Sequence, residues 1–177
     1  DYAPLFASPG GGGPGIEVAG AGSGLAVFDS LVVGGHAGDV IDDDAAWDGP
    51  TGGHGMLVSE GELFLVGNLL VSGAGGHGGE DFDIFSGYVC GNGGDAGDGI
   101  AEPWPGTGQP LLHLAHNSFT SGAPGQPFVG SGCVPGQLGS MMAAGSAIVD
   151  PMAVGAFGLQ VTDPVRDGET IAVTVHG

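Results

Sequence analysis

Carboxylates are the most abundant side chains in this sequence that could do chemistry, and they are unevenly distributed. The chain has 20 Asp and Glu residues in 177, and 16 of the 20 lie at or before Glu102. Hard cations such as Ca²⁺ bind through several oxygen ligands on flexible loops. The densest groups therefore predict a calcium site, with a solvated acidic surface as the alternative. The candidate ligands are Asp42, Asp43, Asp44, Asp48, Glu80, Asp81 and Asp83.

The balance of charge excludes two classes of partner. Arg166 is the only basic residue apart from histidine, and the formal net charge is −19. Nucleic-acid binding depends on Lys and Arg that neutralise phosphates, and attraction to anionic lipid head groups depends on the same residues. The sequence therefore predicts no nucleic-acid partner, and it favours a cation or another protein or glycan surface.

Histidine spacing does not predict a transition-metal site. His113 and His116 are three residues apart on a predicted strand, so their side chains point to opposite faces. The sequence contains neither the HExxH pattern nor paired cysteines at zinc spacing. No cofactor other than Ca²⁺ is expected.

A recurring phrase sets the elements that must position these residues. Each copy is an alternating apolar strand, a polar turn and a short second strand that ends on Gly, and three copies follow a Gly-apolar entry at Gly15, Gly55 and Gly99. Alternation predicts half-buried strands, and a repeated unit that cannot bury its own apolar face must stack on its neighbours. The copies are Leu25–Gly34, Leu63–Gly73, Leu112–Gly122 and Ser146–Gly155.

The first three copies are followed by long glycine-rich inserts, at residues 35–53, 74–98 and 123–138. Insertions in stacked repeats map to one face of the stack. We expect the inserts to lie side by side as loops, with the apolar residues of the alternating strands pointing inward. Those residues are Leu25, Val27, Leu63, Leu65, Leu112 and Leu114.

The two cysteines fall in adjacent inserts, Cys90 in the second and Cys133 in the third. Stacking would bring them together, so we expect a disulfide, with two unrelated thiols as the alternative. A disulfide is typical of an oxidising, extracellular or periplasmic setting.

The third copy, with Leu112, Asn117, Phe119 and Gly122, resembles the repeats of secreted right-handed parallel β-helix proteins such as the polymorphic outer-membrane proteins. The resemblance covers residues 15–155 and implies an all-β fold of about four rungs. It also implies secretion, but no particular activity. Some β-helix proteins cleave polysaccharides, and hydrolysis requires two suitably spaced carboxylates.

The ends of the chain differ from the repeats. Residues 1–14 combine an apolar stretch with a Gly run and read as a cap over the first rung or a hinged hook. Residues 156–177 read as two strands joined by an Asp-Gly turn, either a cap or the start of a further β-domain. A start at Asp1 without Met is expected of a processed secreted protein, and equally of a fragment.

These observations favour a non-enzymatic, secreted or cell-surface structural or adhesive module, and one form of it is the subunit of a self-assembling filament or surface layer. The partners expected are another copy of the chain or a cell-surface glycan. The alternative is a carbohydrate-active β-helix hydrolase that uses carboxylates of the inserts.

Overall fold

The computed structural model of the chain describes residues 10–20, 22–40, 46–83, 87–102, 110–128, 132–142, 148–151, 158–161 and 173–176. Within these residues the regular elements are strands, and there is no α-helix. Glycine, at 41 of 177 residues, disfavours helix throughout. The strands are β1 (Ile16–Val18), β2 (Gly24–Phe28), β3 (Leu31–Val33), β4 (Met56–Val58), β5 (Glu62–Val66), β6 (Leu69–Val71), β7 (Glu80–Asp83), β8 (Gly87–Cys90), β9 (Ile100–Ala101), β10 (Leu111–Ala115), β11 (Ser118–Thr120), β12 (Ile148–Pro151), β13 (Gly158–Val161) and β14 (Val173–His176).

Ten of these strands form three parallel sheets. The entry sheet has the order β1-β4-β9, the central sheet β12-β10-β5-β2 and the exit sheet β11-β6-β3. The chain visits the sheets in the same sequence each time, from entry to central to exit. Each such passage is called a coil here, so that the first coil is β1-β2-β3, the second β4-β5-β6 and the third β9-β10-β11.

The pairing register agrees with the alignment of the sequence phrases. Leu25 of the first phrase pairs with Leu63 of the second, which pairs with Leu112 of the third. At the entry strands, Ile16 pairs with Met56 and Met56 with Ile100. Because a shift of one residue would turn every apolar side chain outward, burial of one face fixes this register.

One apolar core lies between the three sheets. The entry sheet contributes Met56 and Ile100 among others, the central sheet Leu63 and Leu112, and the exit sheet Leu70, and all five are fully buried. The six residues expected to point inward do so. Leu63, Leu65 and Leu112 are completely inaccessible, and Leu25, Val27 and Leu114 are partly buried against the same cluster.

A short asparagine ladder supports the turn between the central and exit sheets. In each coil, the residue just before the ladder position has a positive φ: 43° at Asp29, 70° at Gly67 and 53° at His116. Asn68 accepts the Ser30 backbone N–H through Oδ1 at 3.0 Å. The Asn117 Oδ1 accepts from the backbone N–H of Asn68 at 2.9 Å. The ladder thus joins the first three coils, with Ser30 in place of asparagine at its first step.

The remaining strands make antiparallel pairs. β7 pairs with β8 inside the second insert, and β13 pairs with β14 near the C-terminus, where two strands were expected. The fourth phrase contributes β12, which pairs with β10 after a register shift between Leu112 and His113. Residues 1–9, which include the apolar stretch of the expected cap or hook, lie outside the described residues.

The ladder makes Asn68 a test of coil stacking. It is 1% exposed, and its Nδ2 donates to the Val27 carbonyl at 2.8 Å while Oδ1 holds Ser30. Replacement Asn68→Ala leaves buried polar groups of the turn without partners, so we expect the free energy of unfolding to fall by about 2 to 3 kcal/mol in urea titrations. The exposed neighbour Ser118→Ala is the control, with a change within about 0.5 kcal/mol. Equal effects of the two variants would contradict the conclusion that the asparagine ladder stabilises the stacking of the coils.

Candidate functional site

The glycine-rich inserts are an ordered backbone array rather than the loops expected from the sequence. Each insert leaves the exit sheet in one extended segment and comes back to the entry sheet in another. The outgoing layer consists of residues 34–40, 72–79 and 121–128, and the returning layer of residues 10–15, 47–55, 91–99 and 133–140. We call the two layers together the glycine array. The run Gly10–Gly13, which the sequence suggested as a hinge, belongs to its first returning segment.

Hydrogen bonds in the array repeat every three residues. In the outgoing segment of the second coil, Ser72, Gly75 and Gly78 donate their N–H groups down the stack to carbonyls of the third coil, at 3.0 to 3.1 Å. One residue further on, the N–H groups of Gly73, Gly76 and Gly79 cross to the returning layer instead, at 2.8 to 2.9 Å. A repeat of three residues with no bond inside the segment is the pattern of polyproline II, not of a strand, whose period is two.

The third N–H group of each repeat points outward, and a side chain of the preceding coil accepts its hydrogen bond. The N–H of Ala74 donates to His36 Nδ1 at 3.0 Å, and that of His77 donates to Asp39 Oδ1 at 2.9 Å. The returning layer uses the same device. Its bonds run from Asn92 N–H to Asp48 at 2.7 Å, Asp98 N–H to His54 at 3.0 Å, Val134 N–H to Asn92 at 3.0 Å, Gln137 N–H to Asp95 at 2.7 Å and Ser140 N–H to Asp98 at 2.7 Å.

Glycine is required where successive coils of the array pack backbone against backbone within one layer. A Cβ on Gly76 would come within 2.1 Å of the Gly38 carbonyl oxygen, and one on Gly94 within 2.1 Å of the Pro50 oxygen. Real Cβ atoms do not approach backbone oxygens this closely, so no side chain fits at these positions. The sequence carried this signal as Gly at every third position, for instance at 73, 76 and 79, but reasoning from period-two strands missed it.

The predicted calcium ligands divide into three groups. Asp42, Asp43 and Asp44 lie outside the described residues. Asp48 is in the returning layer, where one of its oxygens accepts the Asn92 N–H. Glu80, Asp81 and Asp83 lie on β7, next to β8. Among the described residues, no three His, Cys, Asp or Glu side chains are grouped so that they could hold a metal ion. The calcium site stays a prediction.

His113 packs on the outside of the central sheet. Its ring stacks on Phe64, with centroids 4.2 Å apart and planes within 4° of parallel, and its Nε2 lies 2.9 Å from Glu62 Oε1. His116 lies in the turn after β10 with a positive φ. The two histidines therefore occupy different environments, and the expectation that both lie on one strand is wrong, because β10 ends at Ala115.

Cys90 and Cys133 form a disulfide, as the stacking of the inserts predicted. Their Cα atoms are 6.0 Å apart across 43 residues of sequence. Cys90 ends β8 and Cys133 begins the last returning segment, so the bond ties the second insert to the third. It lies at the outer end of the glycine array, away from the three sheets.

Apolar side chains are exposed at the same outer end. Trp47 is 42% exposed, Val89 41%, Phe128 41% and Val134 59%. The backbone bonds bring their segments together, since Trp47 accepts from Gly79 across the layers and Val134 accepts from Gly93 down the stack. Exposed aromatic and aliphatic groups gathered at one place are typical of contact surfaces.

Comparisons with known proteins place this chain in no family. Neither a protein-family model, nor a curated protein, nor a solved structure matches it. Function must therefore be argued from the array and its surfaces. Within the described residues, no helix has the length and apolar character needed to cross a membrane.

Glycine at the contact between successive coils can be tested by one methyl group. We expect Gly94→Ala to lower the free energy of unfolding by about 3 kcal/mol, because its Cβ cannot fit against the Pro50 backbone of the preceding coil. Gly13→Ala is the matched control, since a Cβ at Gly13 meets nothing within 4 Å and the residue belongs to the same layer. Guanidinium titration of both variants makes the comparison. Similar midpoints for the two would show that Gly94 is not in close contact with the preceding coil.

Carboxylates of the array can be tested for their role as hydrogen-bond acceptors. Asp95 accepts the Gln137 N–H at 2.7 Å in an exposed position. We expect Asp95→Ala to lower the free energy of unfolding by about 1 kcal/mol, and Asp95→Asn, which keeps an acceptor oxygen, to restore most of it. Urea titrations at equal ionic strength provide the measurement. If Asn were as damaging as Ala, the negative charge rather than the acceptor would be what matters.

Proposed function

We propose that this protein is a rigid extracellular module with a structural or adhesive role, built on a right-handed parallel β-helix that carries the glycine array on one side. The observation that carries the proposal is the use of polar side chains. Asp39, Asp48, Asp95 and Asp98, which could serve catalysis or metal binding, each accept a backbone N–H of the next coil. These carboxylates therefore serve to hold successive coils together through hydrogen bonds.

The β-helix is supported by the arrangement of the three sheets. The chain passes through the entry, central and exit sheets in a constant order, each strand pairs in parallel with its counterpart in the next coil, and inward side chains of all three sheets share one core. Crossover connections between parallel strands are right-handed in almost all proteins. A crystal structure with a left-handed path between the sheets would contradict this part of the proposal.

The extracellular setting is supported by the disulfide and the acidic composition. Structural disulfides persist in oxidising compartments and are rare in the cytosol. A net charge of −19 keeps molecules apart in solution and discourages non-specific association with anionic surfaces.

The adhesive surface of the proposal is the outer end of the glycine array. It combines Trp47 and Phe128 with Asp48, which follows Trp47, and with Glu80, which follows the Gly79 whose N–H donates to Trp47, on a base held by the Cys90–Cys133 bond. Aromatic groups on a rigid base bind with little loss of conformational entropy. We propose a cell-surface glycan as the ligand, bound without cleavage.

A glycan array probed with the full chain tests this role. We expect selective retention of a glycan class, with the bound glycan unchanged in mass, and at least about tenfold weaker binding by the Trp47→Ala/Phe128→Ala variant. Leu138→Ala is the matched control, because Leu138 is 69% exposed on the returning layer but lies nearer the sheets. It should bind like the unmodified protein.

Two results would contradict the adhesive proposal. Absence of selective glycan binding would remove the ligand. Release of shortened glycans, abolished by Asp→Asn changes in the inserts, would instead support the hydrolase that the sequence left as the alternative.

A further inference from the structure

The two edges of the glycine array are chemically different. Down the stack, every backbone–backbone bond of the array between neighbouring coils of one layer runs from an N–H of one coil to a carbonyl of the next. The first coil therefore leaves a row of carbonyls at one edge, the acceptor edge, and the third coil leaves a row of donor positions at the other, the donor edge. Within the described residues, no backbone N–H donates to the acceptor-edge carbonyls, which belong to Gly11, Pro14, His36 and Asp39.

The donor edge is closed by proline. Counting by threes from the acceptors of the third coil places its donor positions at residues 121, 124 and 127 in the outgoing layer and at 135, 138 and 141 along the returning path. Three of these six are Pro124, Pro127 and Pro135, which have no N–H to donate. None of the corresponding positions in the first and second coils is proline, and each of them donates; they are residues 12, 15, 34, 37, 40, 49, 52, 55, 72, 75, 78, 93, 96 and 99.

Proline at these positions prevents the addition of another coil to the stack, because it has no N–H to donate to that coil. Natural sheet proteins protect their edges in the same way, by residues that cannot continue the pairing. The acceptor edge carries no such block, because proline at position 14 removes an N–H and leaves its carbonyl intact. Asp39 and His36 there use their side chains toward the second coil, where they accept the N–H groups of His77 and Ala74.

We propose that the acceptor edge is a docking edge for a glycine-rich extended segment of another protein, and that Pro124, Pro127 and Pro135 stop a second copy of this chain from occupying it. This docking would continue an existing interface, because the N–H groups of each coil in the array already donate to such a row of carbonyls in the next coil. The fitting segment has glycine at every third position, where the backbones pack. At another position of the three-residue repeat it has free N–H groups that donate to the acceptor-edge carbonyls. At the outward position it has Asp, Asn or His, which accept the N–H groups of His36 and Asp39.

The inference does not rest on the glycan proposal, because it uses only backbone register. It also bears on the filament that the sequence suggested. A stack of identical copies along this axis would need donors where the chain has proline, so end-to-end growth through the array is blocked.

The first experiment turns the chain into its own partner. The full-length variant Pro124→Gly/Pro127→Gly/Pro135→Gly restores three N–H donors, and we expect its weight-average mass in sedimentation velocity to rise with concentration to at least that of a dimer, most clearly at high salt, which screens the net charge. The unmodified chain and the control Pro50→Gly, whose change lies outside both the donor positions and the acceptor edge, should stay monomeric. A variant that keeps the far-UV spectrum of the parent and remains monomeric overturns the role given to the prolines.

The second experiment uses the unmodified protein and does not depend on how the variant folds. The probe is a synthetic peptide with the sequence of residues 71–79, whose donors are Ser72, Gly75 and Gly78, and its control carries proline in place of Gly75 and Gly78. We expect saturable binding of the first peptide, with amide shifts in NMR spectra at residues 34–40, and at least about tenfold weaker binding of the control. Lack of saturable binding, or equal binding of both peptides, overturns the docking edge.

Discussion

The close approach of backbone segments in successive coils of the glycine array is the constraint on which the rest of this molecule depends. Between these segments, carbonyl oxygens occupy the positions that Cβ atoms would take, as at Gly76 and Gly94. That contact is possible only if glycine recurs every third residue. It explains why a chain with so much glycine is ordered: each extended segment is surrounded by partners for its N–H groups, in three directions that repeat in turn.

The constraint also accounts for the acidic residues. An outward N–H of the array has no backbone partner, and a short side chain from the preceding coil supplies one. Asp, Asn and His carry acceptors at the right reach, and they occur at those positions, as Asp95, Asn92 and His54 show. Part of the negative charge is therefore a by-product of hydrogen-bond geometry and need not be matched by a cation.

Sequence reasoning predicted the sheets well because their determinants are local and have period two. The alternation in Leu63–Val66 and Leu112–Ala115 identified strands, the shared Gly-apolar entries aligned them, and the position of the two cysteines in neighbouring inserts gave the disulfide. The array was missed because its period is three and its contacts are backbone to backbone, so hydrophobic patterning carries no trace of it. The inserts were read as loops since glycine is common in both. The prolines of the donor edge acquire meaning only once the register of three is known.

The molecule thus joins two ways of stabilising a polypeptide that respond differently to temperature. The three sheets bury Met56, Leu63, Leu70 and other large apolar side chains, and exposure of such surface on unfolding raises the heat capacity. The array buries mainly glycine backbone, and exposure of polar surface lowers it. The combined change in heat capacity per residue is therefore smaller than in an ordinary apolar domain of this size. A stability curve with weak curvature follows, so the folded state loses little stability on cooling.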